Sequence, residues 1–288
     1  MVSIRNEKGV TMGASTAICT NSNRLEVVVT EHSISRRVCQ SFVEGCNGVL
    51  VSPDKCGSRI ATYGIKRGTG EAIHRAEEYW HIDNGYYMSS NHSRTATQSK
   101  HSFGGYYRIT HNGTMHSGDG DYPKDRFNKL VKEEMRDWRK TGSHIVLVPP
   151  SVIFQKFIGI HGSRASSWLR NTVEEIKKYT DRRILVSTKF ASGWENDMTK
   201  GIKKIPSENP YRKVIKNAWA LVTYSSNCMT DAVIKGVPII SLSPERKIGS
   251  IAEIENPPMN RGFLYGLAYQ QWTLEEMRTG QAWRELNS

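Results

Sequence analysis

The sequence lacks long apolar runs, an acidic excess and the short motifs that identify common enzyme classes. No stretch of its 288 residues reaches the roughly 18 uncharged apolar residues that a membrane-spanning helix needs, and its longest apolar runs, such as 144–150, are strand-sized. No Gly-x-Gly-x-x-Gly follows a strand pattern, and no P-loop, His-Glu-x-x-His or Gly-x-Ser-x-Gly motif is present. The N-terminal residues carry charges and no apolar core segment. We therefore expect no membrane association, no secretory signal and a cytoplasmic protein.

Cysteine is also scarce, with five residues and no Cys-x-x-Cys pair. This pattern predicts reduced thiols, with a zinc site or a disulfide as the less favoured alternatives. Several histidines fall between residues 74 and 116, but their spacing matches no standard zinc pattern. Asp119 and Asp121 form either a turn or a metal-binding pair. A divalent metal is therefore permitted by the sequence but not required.

Positive charge is what the chain has in excess. It contains 40 Lys and Arg against 28 Asp and Glu, for a formal net charge of +12. The cations recur in clusters along the chain instead of forming one tail: Arg36-Arg37, Lys66-Arg67, Arg136 to Lys140, Lys177-Lys178, Arg182-Arg183 and Lys200 to Lys204. This distribution favours a polyanionic partner, whose phosphates would release counterions on binding. The alternative is that the charge serves solubility alone.

The second half of the chain alternates strand and helix patterns. Apolar runs predict strands at 144–148, 183–187, 220–224 and 238–242, with helices at 166–179, 210–218 and 230–235. This order predicts a doubly wound parallel sheet. A capping box at Thr273 and Glu276 predicts a C-terminal helix. We place the domain boundary near 141–143.

The first half is less regular. It predicts short strands at 25–30, 48–52, 59–65 and 79–83, a helix at about 70–79, a long polar loop at 86–121 and an amphipathic helix at 123–140. Within the loop, residues 106–110 also match a strand. A loop this long inside a domain is usually functional or mobile.

Hydroxyl groups and a cation follow the predicted strands of the second half. Ligands of open α/β sheets bind beyond the carboxyl ends of the strands, so we expect a phosphate-binding site there. The residues at these ends include Ser151, Ser187, Lys189, Tyr224, Ser225, Ser226 and Asn227. For Ser226 and Asn227 the alternative role is that of a helix N-cap.

The segment from Ala220 to Asn227, followed by 231–240, resembles the donor-binding segment of GT-B glycosyltransferases, and capsule and surface-polysaccharide transferases carry similar segments. With residues 63–68, 83–87, 105–112, 270–277 and 280–283, the chain resembles phage-encoded GT-B-like proteins similar to DNA 5-hydroxymethylpyrimidine glycosyltransferases. The resemblance implies an α/β fold with two Rossmann-like domains facing a cleft. Residues 1–142 would bind the acceptor, and residues 143–288, closed by the C-terminal helix, would bind the nucleotide sugar.

The function implied is transfer of a sugar from a nucleotide sugar, expected to be a UDP-sugar, to the hydroxymethyl group of a modified pyrimidine in double-stranded phage DNA. The chain would act as a monomer in the host cytoplasm. Two alternatives stay open: a glycosyltransferase acting on a polysaccharide or small molecule, and a non-catalytic nucleotide- or nucleic-acid-binding relative.

Asp83 is our candidate general base, because it ends a strand that would face the cleft; its alternative role is to initiate a turn. To the donor-binding set named above we add Glu253 and Glu255, which would accept hydrogen bonds from sugar or ribose hydroxyls. An enzyme that acts on a base in duplex DNA must extrude that base. The residues that we expect to contact the DNA acceptor are Lys66, Arg67, Tyr86, Tyr106, Tyr107 and Arg108.

Overall fold

Two sheets organise the part of the chain that the computed structural model describes, which comprises residues 24–88, 105–160, 163–187 and 210–288. The strands are β1 Glu26–Val28, β2 Val49–Val51, β3 Arg59–Tyr63, β4 Glu78–Asn84, β5 Tyr106–His111, β6 His144–Val148, β7 Arg183–Val186, β8 Ala218–Thr223, β9 Ile239–Ser243, β10 Arg246–Ile248 and β11 Gln271–Thr273. The helices are α1 Ser33–Cys46, α2 Thr69–Arg75, α3 Asp125–Leu130, α4 Val152–Phe157, α5 Ser163–Lys177, α6 Pro210–Val214, α7 Cys228–Ile234, α8 Phe263–Tyr269, α9 Leu274–Arg278 and α10 Gln281–Leu286.

The second sheet has the order β10-β9-β8-β6-β7, and all of its strands are parallel except the edge strand β10. Its alternate residues are buried on opposite faces. Ile145 and Val222 pack with α5, whereas Val146 and Leu221 pack with α7. Because helices cover both faces, the strands are apolar throughout. The predicted doubly wound parallel sheet is therefore confirmed.

The first sheet has the order β11-β5-β4-β3-β1-β2, in which β5 and β11 run antiparallel to their neighbours. One face packs against α1, α9 and α10 through a core that includes Phe42, Trp80 and Met277. Strands β3, β4 and β5 of this sheet also carry the buried polar residues Thr62, His81 and Thr110, which lie side by side in register. One face of this sheet thus carries a row of buried polar side chains.

Helix α1 is absent from the sequence predictions although it has 14 residues. Val38, Cys39, Phe42 and Val43 give it a buried face. Its first turn has no acidic residue, and its N-cap, His32, makes no side-chain capping bond. An acidic first turn and a capping side chain are the usual signals of a helix start. Because both are absent, the sequence pattern did not predict α1.

The predicted helix at 123–140 is wrong beyond its first two turns. Helix α3 ends at Leu130, and Val131 is extended. The backbone N–H groups of Arg136 and Arg139 then donate to the carbonyls of Ile234 and Gly236, at 2.9 Å each. The apolar residues that suggested a helix face, Val131, Met135 and Trp138, still pack on the core of the second sheet. Pairing with another segment has replaced the internal bonds of a helix.

The C-terminal segment returns to the first sheet. Strand β11 pairs with β5, and α9 and α10 pack on α1. The capping box at Thr273 and Glu276 is confirmed, with Glu276 N donating to Thr273 Oγ1 at 3.1 Å. The sequence-based division had assigned these residues to the second domain, but their strand pairing and packing place them with the first. In the described residues, no helix combines the length and the apolar character needed to cross a membrane.

Candidate active site at the domain interface

The sheet topology marks one place in each sheet where a ligand can enter. Strand β6 lies between β7 and β8, and β1 likewise lies between β2 and β3. Successive connections therefore leave in opposite directions, which opens a crevice at the carboxyl ends of the central strands. In the second sheet this crevice lies between the residues that follow Val148 and those that follow Thr223.

Hydroxyl groups line these two strand ends, and local hydrogen bonds hold several of them. Thr223 Oγ1 donates to the Val148 carbonyl at 2.9 Å, which ties β8 to β6 at their ends. Ser151 is the N-cap of α4 and accepts from Phe154 N at 3.2 Å. Ser226 Oγ accepts from Cys228 N at 3.4 Å. A hydroxyl that accepts a backbone N–H keeps its own proton to donate, so Ser151 and Ser226 retain a donor for an anionic oxygen.

A cluster of polar side chains joins this end of the second sheet to the first sheet. The Arg108 guanidinium donates from Nη2 to Asp83 Oδ2 at 2.8 Å and from Nη1 to Asn227 Oδ1 at 3.0 Å. Asn227 Nδ2 donates in turn to the Gly85 carbonyl at 3.2 Å. We call Asp83, Arg108 and Asn227 the interface triad. It brings together three residues that the sequence had singled out separately.

Asp83 lies near the carboxyl end of β4, and its side chain is 32% exposed. Its Oδ1 accepts from Asn84 N at 2.7 Å, while its Oδ2 accepts from Arg108. Burial raises the pKa of the Tyr63 phenol, and the negative charge of Asp83 raises it further. The carboxylate therefore lies near the carboxyl end of a strand within the first sheet. Asn84 N and Arg108 hold it in place, and part of its surface stays exposed.

Further buried contacts cross the interface beside the triad. Arg246 is only 3% exposed and donates from Nε to the His116 carbonyl at 2.6 Å. The guanidinium carbons of Arg108 and Arg246 lie 5.2 and 5.0 Å from the centre of the Tyr86 ring. Glu245 accepts from Thr114 N at 2.9 Å and from Thr114 Oγ1 at 2.7 Å. These contacts fix the strand ends of one sheet against the loop that follows β5.

Two histidines belong to this layer, of which His81 is buried and His116 is half-buried. Burial lowers the pKa of His81 to about 4; the Asp83 carboxylate opposes this effect and Arg108 adds to it. Burial likewise lowers the pKa of His116 to about 4, opposed by its hydrogen bond with the Ile109 carbonyl. Both rings are neutral at pH 7, so the charge balance of the layer rests on its arginines and carboxylates.

Several of the predicted acceptor-binding residues lie inside the protein. Tyr107 is fully buried in the first core, Tyr86 is 2% exposed and Arg108 is 7% exposed. These three side chains are packed inside the protein in this structure, and their contact with the DNA acceptor stays a prediction. Tyr106 is half-buried in β5, and Lys66 and Arg67 are exposed after β3. The middle of the predicted loop, 89–104, lies outside the described residues.

The two predicted donor carboxylates are also misplaced. Glu255 pairs with Arg182 at 3.1 Å and bonds to the Thr180 hydroxyl, just before β7 begins. Glu253 closes a capping box with Ser250, whose backbone N–H donates to Glu253 Oε2 at 2.7 Å. Both follow β10, which runs antiparallel to β9 and returns the chain toward the amino ends of the parallel strands. Neither carboxylate therefore faces the crevice.

Ser187 is buried where β7 ends, and its N–H donates to the Leu147 carbonyl at 2.9 Å. Lys189 lies outside the described residues. Asp119 and Asp121 are exposed. In the described ranges, no group of three or more His, Cys, Asp or Glu side chains is arranged to hold a metal ion.

Three aromatic rings absent from the sequence-based prediction, those of Phe154, Phe157 and Trp168, border the same crevice near Tyr224, which was predicted. The Tyr224 ring lies 6.0 Å from Phe154 and 6.5 Å from Trp168, measured between ring centres. The Phe157 ring of α4 stacks on the His74 ring of α2, with 4.7 Å between the ring centres. A helix of the second sheet therefore contacts a helix of the first. These residues are far apart in the sequence, so only the strand order shows that they are neighbours.

No protein-family model and no curated protein matches the sequence. Solved structures do match the fold. The Thermosulfurimonas dismutans KpsC beta Kdo 2,7 transferase aligns with a TM-score of 0.52 at 12% identity, over 92% of this chain and 100% of that one. The beta Kdo 2,4 transferase of the same organism's KpsC aligns with a TM-score of 0.46 at 13% identity, over 86% and 90%. The glycotransferase of kitacinnamycin aligns with a TM-score of 0.28 at 16% identity, over 53% and 45%.

The chain therefore has an α/β architecture with two Rossmann-like domains, shared with a solved glycosyltransferase structure. The predicted GT-B-like fold class is confirmed. At this identity the likeness concerns the fold alone, and function has to be argued from the site.

Proposed function

We propose that this protein is a glycosyltransferase that uses a nucleotide-sugar donor. The observation that supports this most directly is the interface triad, in which a partly exposed carboxylate of one sheet is linked to the hydroxyl-rich turn at the crevice of the other. A two-domain transferase needs this juxtaposition, because its base and its donor site come from different domains. The fold shared with a solved transferase agrees with the proposal.

The donor would lie at the carboxyl ends of β6 and β8. The half-buried ring of Tyr224 with its neighbour Phe154 offers aromatic surface to a nucleobase. The hydroxyls of Ser151, Ser225 and Ser226 would donate to the diphosphate. A departing diphosphate is stabilised by donors fixed in advance. Lys189 stays a prediction as its cationic partner, and UDP stays our first choice of nucleotide.

In the reaction the acceptor oxygen forms a bond to the sugar C1 while the bond from C1 to the phosphate oxygen breaks. The acceptor proton moves to Asp83, and the electron pair of the broken bond leaves with the nucleoside diphosphate. Arg108 and the Asn84 N–H hold the carboxylate of Asp83 in one orientation at 2.8 and 2.7 Å. The ion pair favours the ionised carboxylate, which is the form that accepts a proton.

For the acceptor we propose the hydroxymethyl group of a modified pyrimidine in duplex DNA. The net charge of +12 and the exposed Lys66 and Arg67 beyond β3 support a polyanionic acceptor at the first sheet. Since Tyr86, Tyr107 and Arg108 are buried, these cations and the half-buried Tyr106 carry the proposal. A glycan acceptor is the second candidate, because the structural neighbours are named as Kdo transferases.

A transfer assay tests the proposal. The purified protein would be incubated with a panel of UDP-sugars and one of three acceptors: hydroxymethylated duplex DNA, unmodified duplex DNA or an oligosaccharide. The masses of the products would be measured by mass spectrometry. A sugar-sized gain on hydroxymethylated DNA alone supports the DNA acceptor. A gain on the oligosaccharide alone favours the second candidate. Donor binding without transfer to either acceptor would leave only a nucleotide-sugar-binding role.

The Asp83→Asn variant tests the mechanism. We expect kcat to fall by about 10²- to 10⁴-fold, the usual contribution of a general base, while the donor Kd changes less than twofold. Asp181→Asn, an exposed carboxylate before β7, is the matched control and should transfer normally. Circular dichroism would verify that both variants fold. Full activity in Asp83→Asn, or loss of donor binding, would remove Asp83 from the role of base.

A further inference from the structure

A basic cavity lies at the opposite edge of the second sheet from the interface triad. It has a volume of ≈ 550 Å³ and is lined by Arg139, Lys140, Thr141, Gly142, Ser143, Lys216 and Asn217. Its walls are the segment that enters β6 and the 3₁₀ helix that enters β8. Because β6 has five residues, about 16 Å of strand separates this cavity from the crevice.

The lining is positively charged without compensation. Three of the seven lining residues are cations and none is acidic. Within the described ranges, Arg139, Lys140 and Lys216 form no salt bridge. Lys140 and Lys216 are exposed, so both ammonium groups can reach a ligand. A concave surface lined by one sign of charge concentrates counter-ions.

Arg139 is fixed in place by the backbone. Its Nη1 donates to the carbonyls of Ile215 and Ala218, at 2.7 and 3.2 Å. Burial lowers the pKa of Arg139, and the neighbouring Arg136 lowers it further. The guanidinium is thus held by neutral carbonyls beside a second cation, a setting that an anion would stabilise.

The backbone at this cavity is also fixed. Gly142 approaches Trp219 so closely that a Cβ would lie 2.4 Å from its Cα. Ser143 N donates to the Asn217 carbonyl at 2.9 Å, and the Gly142 carbonyl accepts from Arg182. The two walls are therefore tied together before any ligand arrives. Hydroxyl and amide groups of Thr141, Ser143 and Asn217 add neutral partners for oxygen atoms.

We propose that this cavity binds phosphate groups, as a second anion site separate from the site of sugar transfer. Lys140 and Lys216 would pair with the phosphate oxygens, and Arg139 would supply a fixed positive charge behind them. The volume exceeds that of a single phosphate, which suits a diphosphate or two successive phosphodiesters of a nucleic acid. Phosphate binding at this cavity does not require the proposed transfer reaction.

Backbone amide NMR on the full chain tests this inference. Inorganic pyrophosphate would be titrated into the protein at constant ionic strength, with sodium chloride as the blank. We expect saturable shifts of the Gly142, Lys216 and Asn217 amides. Lys140→Ala/Lys216→Ala should weaken this binding about tenfold, as the loss of two charge-assisted contacts implies. The control Lys129→Ala/Lys132→Ala removes the same charge from exposed positions near α3 and should stay within twofold.

A 12-base-pair duplex DNA forms the second arm of the experiment. If the duplex displaces pyrophosphate from the cavity, as reported by the shifts of these three amides, the ligand is identified as a nucleic-acid phosphodiester. Binding of pyrophosphate without competition by the duplex would identify a small phosphorylated ligand. Shifts that follow ionic strength alone, or equal weakening by the two double variants, would overturn the inference.

Discussion

The two sheets of this chain share one order of parallel strands but place different chemistry at their carboxyl ends. The first runs β2-β1-β3-β4 and the second β7-β6-β8-β9 before the antiparallel strands are added. Exposed Lys66 and Arg67 follow β3, whereas half-buried Ser225 and Ser226 follow β8. The shared topology locates a crevice in each sheet, and only the side chains decide what each crevice can bind.

The same contrast separates the two edges of the second sheet. Beyond the carboxyl edge, at the interface with the first sheet, Arg108 of β5 and Asp83 of β4 pair with side-chain exposures of 9% and 32%. At the amino edge, Arg182 and Glu255 pair with exposures of 30% and 41%. Charges shielded from water interact more strongly and cost more to break. We therefore expect the interface to dominate both stability and its dependence on pH.

The largest expected effect is a loss of stability on acidification. His81 and His116 have pKa values of about 4 in the folded protein, against an ordinary value of 6.5. Between these values the unfolded chain binds more protons, so the free energy of unfolding falls as the pH drops from about 6.5 to 4. Each ring would contribute at most about 3 kcal/mol. Urea unfolding across this range measures the slope.

A histidine variant identifies the source of that slope. His116→Gln should reduce the pH dependence by up to half. If the midpoint of wild-type unfolding stays constant between pH 6.5 and 4.5, burial does not lower the pKa values of these two rings.

The next largest effect is expected from Arg108→Met. This change removes the cation shared by Asp83, its partner within the first sheet, and Asn227, its partner across the interface. Removing one partner of a fully buried pair costs about 3 kcal/mol or more, and because Asp83 is 32% exposed we expect about 2 kcal/mol. Arg182→Met at the amino edge is the matched change, and it should cost about 1 kcal/mol or less because its pair is more exposed. Equal losses for the two variants in urea unfolding would remove the distinction between the edges.

Sequence patterns predicted those elements of the fold that carry their own periodicity. Strands β6 to β9 were found because each is a continuous apolar run between helix patterns. The region 131–140 was misread because its apolar spacing fits a helix, while its backbone bonds to Ile234 and Gly236 instead. Strand β11 was not predicted because three residues are too few to show an alternating pattern of apolar and polar side chains. Its pairing with β5 makes this segment a strand.

The site was predictable where strand order alone decides the position. Asp83 and Asn227 were both placed at strand ends, and the structure joins them through Arg108. Burial was not predictable in the same way. Tyr107 and Arg108 read as a surface aromatic and basic motif, yet the first core and the interface enclose them. Glu255 was misplaced because β10 reverses the chain direction after β9.

Asn227→Ala tests whether the two sheets are coupled through the triad. Its amide makes two bonds across the interface, at 3.0 and 3.2 Å, so we expect a loss of about 1 to 2 kcal/mol of stability. Both ends of the amide already contact protein, so the donor Kd should change less than twofold. If the proposed transfer operates, kcat should fall about tenfold through the misplaced Asp83. The exposed control Asn256→Ala should change none of these three quantities. A large rise in the donor Kd of Asn227→Ala would instead show that Asn227 binds the donor.

The smallest effect is expected from Glu255→Gln at the amino edge. Burial alone would raise the pKa of Glu255, but its bonds with Thr180 and Arg182 outweigh this and lower it below the ordinary 4.5. A lowered folded pKa contributes stability above pH 4.5 that is lost as the pH falls through the folded value. Since the pair is 30% and 41% exposed, the loss in the variant should stay below about 1 kcal/mol at pH 7. Urea unfolding at pH 7 and pH 3.5 should show the difference between wild type and variant shrinking with acid. A larger loss, or one that grows with acid, would mean that the amino edge is as tightly coupled as the interface.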